Sequence, residues 1–511
     1  MDNIADGLDL LLGLQPLTYL VFGVLMGFIA GVLPGFSGSN AAAIVLSFSI
    51  GLSLESALLL MAGIYAGASF AGSVPAILMN VPGTAGAAAT ALDGYPLANE
   101  RGRPGFAIGL ARMASAIGGV FGAVVVLVLI GPMSALALSF GARELFVVAL
   151  AGLAIISVVV GPDVPKGLAS GLLGLLIAAM SANTITAQPR FTFGFVELFE
   201  SIPFIPALIG LFAISEMLLL SRRHRLVDGD QGRQKPAGTI RSPESRGEIW
   251  AGVATPFRYP ATLLRSSSLG LLFGIIPGVG SAVANFVSYG LAKRASTTPE
   301  EFGRGTPEGV VASESSDNAL TAGTLVPTMT LGIPGSGTAA VMLAALLLHG
   351  VQPGPTVMTS HAAEVYAVIL GLLVASIIIL PLGLLFTAPL MYVTRLQPDV
   401  LVPVVLVVSL AGAFAVRNSM FDVMVALVFG FVGFALRLAG YPVVPMVLGL
   451  ILGPIAESNL LRALRLGQGD VGYLFGSATA VLLWSILVGA IVYGVVKTYQ
   501  NRRADERSGM R

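Results

Sequence analysis

Apolar runs long enough to span a membrane recur along most of this chain, separated by short polar connections. A bilayer core takes roughly 20 apolar residues as a helix. By that measure spans are predicted near 17–33, 56–79, 106–131, 144–161, 165–182, 204–221, 363–388, 399–415, 420–437 and 471–496. Further apolar stretches at 41–50, 262–276, 281–292, 318–331, 338–350 and 441–455 are short or cut by Pro and Gly. They predict half-helices or re-entrant hairpins rather than simple spans. The expected fold is an all-α polytopic membrane protein with about 12 spans plus re-entrant helical hairpins.

One long hydrophilic stretch, 222–260, interrupts the pattern and carries seven Lys/Arg from Arg222 to Arg246 against the acids Asp228, Asp230 and Glu244. Such a basic loop faces the cytoplasm by the positive-inside rule, as does the basic tail KTYQNRRADERSGMR. The expected organisation is an N-terminal membrane repeat (1–221), the basic cytoplasmic loop (222–260), a C-terminal membrane repeat (261–496) and a basic cytoplasmic tail (497–511). The two halves echo each other. GVLPGFSGSN holds Pro34-Gly35 and NVPGTAG holds Pro82-Gly83, while GIIPGVGSAVAN holds Pro277-Gly278 and LGIPGSG holds Pro334-Gly335. Pro277 follows Pro34 by 243 residues and Pro334 follows Pro82 by 252, spacings close enough to indicate duplication with small insertions. Inverted repeats are favoured over parallel ones. Paired interruptions in corresponding positions point to a secondary transporter that binds substrate and ions at the repeat interface.

Proline ends a helix ladder, so each break strands backbone groups at membrane depth unless something binds them. Half-helix N-termini attract carboxylate or phosphate; freed carbonyls with Ser, Thr and Asn oxygens attract a cation such as sodium. The residues after each break have this chemistry, Thr90 included, and Ser37, Ser39, Asn40, Thr84, Ser281, Asn285, Ser336 and Thr338 are the candidates for binding substrate. Gly35, Gly83, Gly278 and Gly335 let a ligand reach the backbone. The plainer alternative is a set of tight-packing kinks whose hydroxyls bond back to the preceding turn. Intramembrane acids form a second class of candidate. Glu314, Asp317 and Asn318 precede the fourth break, Asp93 follows the second, and Asn80 opens NVPGTAG. These five are candidates for ion or proton coupling, with interfacial capping of a hairpin as the alternative for the acids. Glu55, Arg112, Lys166 and His349 fall near predicted helix ends, where snorkelling is the expectation.

Composition supports the membrane reading: 55% of the 511 residues are hydrophobic and 11% charged, with mean hydropathy +0.88. A formal charge of +1 excludes the basic surface of a nucleic-acid binder, and the lack of cysteine excludes disulfides and thiolate metal sites. The first residues lack a basic n-region and a cleavage site, so the first apolar segment is expected to be retained. No Walker A motif occurs, which argues against direct ATP drive. GQGD at 467–470 matches the GxGD pattern of intramembrane aspartyl proteases, but no tyrosine is followed by aspartate to supply the second acid, and no HExxH occurs. A passive channel is the other competing class.

The run GVLPGFSGSNAAAIVLSFSIGLSLESALLLMAGIYAGASFAGSVPAILMNVPGTAGAAATALDGYPLA resembles the large membrane subunit of the tripartite tricarboxylate transporters. So do GIIPGVGSAVANFVSYGLAKR, PEEFGRGTPEGVVASESSDNALTAG, LVPTMTLGIPGSGTAAVMLAALLLHGVQPGP and YPVVPMVLGLILGPIAESNLLRAL, extending the resemblance over residues 15 to 465. It implies a permease of the bacterial inner membrane, multi-pass, with no enzymatic activity and no cofactor. It also implies a small membrane subunit and a periplasmic substrate-binding protein as partners. The cargo would be a tricarboxylate such as citrate or a related carboxylate, driven by sodium or protons, with no metal beyond transported sodium. The family pattern before the fourth break carries Asn-Asn, where this chain has Asp317-Asn318.

Overall fold

The computed structural model describes residues 2–33, 36–159, 164–182, 188–199, 201–222, 243–393 and 398–508. Pro34 and Gly35, and most of the basic stretch (223–242), lie outside the described residues. Among the described residues, seven helices are long and apolar enough to cross a membrane: Leu14–Val32, Leu54–Met79, Pro104–Leu138, Ala362–Phe386, Asp399–Arg417, Met420–Leu438 and Val443–Leu466. Shorter apolar helices at Gly38–Gly51, Val164–Ala178, Phe204–Leu220, Gly337–Leu348 and Ala478–Val492 accompany them. The protein is therefore an all-α multi-pass membrane protein. A two-residue ladder, Ser181–Ala182 against Pro189–Arg190, is its one described sheet.

The stretch 441–455 is not a half-helix. It forms one helix, Val443–Leu466, with Pro454 inside. Polar residues end the apolar run there without ending the helix, because Ser458 and Arg462 face outward and Glu457 pairs with Arg190 at 2.8 Å. Burial separates centre from rim: the apolar window of Leu54–Met79 is 94% buried, that of Asp399–Arg417 only 22%.

Small residues bring the central helices into backbone contact. Added Cβ atoms on Gly27 and Gly31 would fall 2.4 Å from the Ile64 carbonyl oxygen and 2.3 Å from that of Ala68, seating Leu14–Val32 on Leu54–Ala71. Gly270 and Gly274 seat Pro260–Ile275 on Pro307–Gly323 in the same way, 2.1 Å from the Ser316 oxygen and 2.5 Å from that of Leu320. Those glycines stand 243 residues apart from their counterparts, and those carbonyls 252. Close approach of this kind is how membrane helices associate without a hydrophobic drive.

Each of the two buried helices then breaks alike. Leu54–Ala71 yields at Gly72 to Ser73–Met79, which ends on Asn80 at φ 56°. Pro307–Gly323 yields at Thr324 to Leu325–Leu331, which ends on Gly332 at φ 70°. Val81 N–H donates to the Pro75 carbonyl at 3.3 Å and Ile333 N–H to the Pro327 carbonyl at 3.2 Å, closing the same turn. The two helices cross antiparallel: Ser69 meets Thr321 at 3.2 Å, while the earlier Tyr65 meets the later Thr324 at 3.2 Å. Two further helices lie on the long spans. Asp2–Leu12 packs through Gly7 on Tyr366 of Ala362–Val393, and Pro243–Ala254 packs through Gly252 on Phe106 of Pro104–Leu138. The latter part of the hydrophilic stretch is thus helix.

Candidate functional site

The four breaks meet in two pairs, each joining one break from either half. At the first–fourth junction, Ser37 precedes the Gly38–Leu46 helix and its hydroxyl lies 2.7 Å from Ser39 Oγ and 3.2 Å from Asn40 Oδ1. A Cβ on Gly38 would sit 3.3 Å from Thr338 Oγ1, and one on Gly337 3.3 Å from Ser39 Oγ, so the two half-helix starts touch. Ser336 caps the Gly337–Leu348 helix by accepting from Ala339 N–H at 3.2 Å. The Tyr65 hydroxyl, buried between the halves, is hydrogen-bonded to both Ser336 and Thr324.

At the second–third junction, Asn285 Nδ2 donates to Asp317 Oδ1 at 2.8 Å and to the Gly86 carbonyl at 3.2 Å. Ser281 also hydrogen-bonds Asp317. Gly86 is pressed against all three: a Cβ there would fall 2.2 Å from Asp317 Oδ1, 2.7 Å from Asn285 Nδ2 and 2.8 Å from Ser281 Oγ. Gly83 reaches the first helix, its N–H donating to the Gly72 carbonyl at 3.0 Å. Gly278, at φ 84°, donates to the Gly335 carbonyl at 3.4 Å and so ties the third break to the fourth. Thr84 packs against Gly72 and its hydroxyl has no described partner.

Glu314 occupies a separate buried cluster one turn before Asp317. Thr90 donates to its Oε1 at 2.5 Å and Ser115 to its Oε2 at 2.6 Å, with the Ser73 hydroxyl, which donates to the Phe70 carbonyl at 3.0 Å, nearby. Arg112 faces this carboxylate and stacks over the Phe70 ring at 4.0 Å. Snorkelling does not describe Arg112. It is 1% exposed and lies nine positions into Pro104–Leu138, in the protein interior rather than at a helix end. Asn318, 6% exposed, packs toward Gly119, and its amide nitrogen has no described partner.

Asp93 stands apart from these groups. Its Oδ1 accepts N–H from Gly303, Gly305 and Thr306 at 2.8–2.9 Å, and its Oδ2 accepts the Tyr289 hydroxyl at 2.8 Å. Four donors fill the carboxylate, which latches the Ala87–Tyr95 helix to the loop before Pro307–Gly323. Asn80 is exposed and serves as the left-handed terminus of its helix. Asp470 of GQGD is an exposed cap, accepting Gly472 N–H at 2.8 Å, which is not the environment of a catalytic acid. Sequence reasoning missed Tyr65, Ser73, Gly86 and Ser115. The signal for Tyr65 was available, since it stands 252 residues before Asp317.

A multi-pass protein whose helices are interrupted in pairs, with hydroxyls, amides and bare backbone gathered where the interruptions meet, has the build of a membrane transporter. The chain belongs to the tripartite tricarboxylate transporter TctA family, whose model matches residues 17–448. An uncharacterized 52.8 kDa protein in the TAR-I ttuC' 3' region of Agrobacterium vitis is 30% identical over 503 residues, covering 98% of each chain. A second uncharacterized protein of that organism, in the TAR-II ttuC' 3' region, is 30% identical over 234 residues, covering 46% of this chain and 97% of its own.

Proposed function

We propose that this chain is the large permease subunit of a binding-protein-dependent secondary transporter. It imports citrate-like tricarboxylates or related carboxylates across the bacterial inner membrane on a sodium or proton gradient. Its partners are a small membrane subunit and a periplasmic substrate-binding protein, and its C-terminal tail is cytoplasmic. Membership of the family supports the substrate class and the partners.

The observation that carries the mechanism is the meeting of the breaks, first with fourth and second with third. Matching helix contacts at spacings of 243 and 252 residues, with antiparallel crossing of Leu54–Ala71 and Pro307–Gly323, support two inverted repeats about an internal pseudo-two-fold. Substrate carboxylates meet the hydroxyls, amides and free N–H groups at the breaks, among them Ser37, Ser39, Asn40, Ser336 and Thr338. The coupling ion sits by the acids of Pro307–Gly323. Relative movement of the hairpin-bearing segments against the outer helices exposes the junctions to either side in turn.

The test is uptake of labelled citrate, and of a panel of dicarboxylates and aromatic acids, into proteoliposomes holding this chain with its small partner. Accumulation that needs both the binding protein and one imposed gradient supports the reading. Failure of the whole panel under every gradient overturns the carboxylate assignment, and uptake without trans-stimulation in counterflow replaces the transporter by a channel.

A further inference from the structure

Resting on the transporter reading above, we infer that the second–third junction is a site for one small monovalent cation of sodium's kind, ligated by Asp317, Ser281, Asn285 and the Gly86 carbonyl. The first–fourth junction is thereby left to the substrate's carboxylate.

Three observations carry this. First, the junction holds more acceptors than donors. Asn285 Nδ2 bridges Asp317 Oδ1 and the Gly86 carbonyl, at 2.8 and 3.2 Å, so its partly positive N–H groups occupy the ground between two acceptors. Meanwhile Asn285 Oδ1, on a residue 0% exposed, has no hydrogen-bond partner among the described residues. Rotating the amide by half a turn presents that oxygen to the same ground, beside the carboxylate, the Ser281 hydroxyl and the Gly86 carbonyl. Oxygen ligands from carboxylate, amide and carbonyl are what a hard cation takes.

Second, the charges are uneven. Glu314 faces Arg112, whereas among the described residues no basic side chain pairs with Asp317, which is 5% exposed. An unpaired carboxylate inside a membrane protein is costly, and a bound cation offsets that cost.

Third, the two junctions differ in one decisive residue. The position 252 before Asp317 is Tyr65, whose hydroxyl bonds Ser336 at the first–fourth junction. That junction therefore gathers hydroxyls and an amide without a carboxylate of its own. The cation junction is not sealed inside the protein, since Ala85 beside Gly86 is exposed and Ser281 is half-buried.

The test needs neither substrate nor partners, so its outcome is independent of the uptake experiment. Thermal unfolding of the purified full-length protein in detergent is followed while choline chloride is replaced by sodium chloride at constant ionic strength. A saturable rise in melting temperature with sodium is expected. Asp317→Asn, Asn285→Ala and Gly86→Ala should each raise the half-saturating sodium roughly tenfold or more, which corresponds to about 1.4 kcal/mol per decade. Asp470→Asn, on the exposed loop, should leave it unchanged. Equal shifts with sodium and choline overturn the site, as does an unaltered sodium response in both Asp317→Asn and Gly86→Ala. Stabilisation that follows pH and ignores sodium overturns the cation in favour of a proton. A sodium response with no carboxylate uptake would leave this site standing and remove the substrate reading.

Discussion

Gly83→Ala and Gly335→Ala are the same substitution at corresponding breaks, yet the structure assigns them different costs. A Cβ at position 83 would fall 1.9 Å from the Gly31 carbonyl oxygen, with the Gly72 Cα at 3.0 Å and its carbonyl oxygen at 3.1 Å. All three neighbours are backbone, so no side-chain rotation relieves the clash. Merely reaching 3.0 Å demands a displacement of 1.1 Å between the second break and the Leu14–Val32 helix. Overpacking of this kind costs about 1–3 kcal/mol and sometimes more, and in a chain of 511 residues each kcal/mol lowers the melting temperature by roughly 1 °C. At position 335 the nearest atoms are Thr324 Cβ and Cγ2 at 2.9 Å, with the Gly274 carbonyl oxygen at 3.3 Å. No rotation moves Thr324 Cβ, but reaching 3.0 Å there takes a displacement of only 0.1 Å, so a cost below about 1 kcal/mol is expected. Gly83→Ala should therefore insert into the membrane, melt about 1–3 °C lower and lose most carboxylate uptake, while Gly335→Ala should retain most of both. Thermal unfolding and proteoliposome uptake of the two variants side by side measure this. Equal damage in both, or none at position 83, would refute the packing argument.

Other substitutions probe other parts of the site. Asp93→Ala strands the N–H groups of Gly303, Gly305 and Thr306, at about 1–3 kcal/mol for each buried donor; it should lower the melting temperature and open the 299–306 loop to proteolysis, with Asp93→Asn milder. Arg112→Met leaves the Glu314 carboxylate buried without its cation, a loss of roughly 3–5 kcal/mol for such pairs, and the double variant with Glu314→Gln should recover part of the thermal stability. Gly278→Leu forces a branched residue to φ 84°, on the order of 1–3 kcal/mol of strain, and should abolish uptake with insertion intact, as quantified by membrane-fraction immunoblot.

The breaks were legible because proline and glycine act locally: Pro82-Gly83 and Pro334-Gly335 fall just past Ser73–Met79 and Leu325–Leu331, whose ends they mark. Fold class followed from apolar runs, which depend on no partner. Pairing was not legible, since nothing in GVLPGFSGSN says that Gly38 will face Thr338 rather than Thr84; that choice is tertiary. Arg112 was misplaced for a related reason. An arginine near the start of an apolar run is usually interfacial, and only the arrival of Glu314 and the Phe70 ring makes an interior position tolerable. Asp93 and Asp317 looked alike as intramembrane acids. Three N–H groups from a distant loop and the Tyr289 hydroxyl fill one, while the other meets Ser281, Asn285 and bare backbone.

Coupled transport requires that occupancy at one junction alter affinity at the other, which needs a structural element that both junctions bias. The helix bearing Asp317 supplies one. It runs on to Thr324, whose hydroxyl is shared with Tyr65 at 3.2 Å, and Tyr65 in turn bonds Ser336 at the start of Gly337–Leu348. A shift of Pro307–Gly323 as the cation binds is thus transmitted to the fourth break through one phenol. Tyr65→Phe keeps the ring in its packing and removes only that link. Its sodium-dependent rise in melting temperature should keep the wild-type midpoint, because no cation ligand is touched. What should change is linkage: raising sodium should no longer lower the KM for carboxylate uptake, a loss of coupling worth about 1–3 kcal/mol in typical cases. If Tyr65→Phe retains the full sodium dependence of KM, the halves communicate through backbone packing at the glycine seams, and the hydroxyl is only a local hydrogen bond.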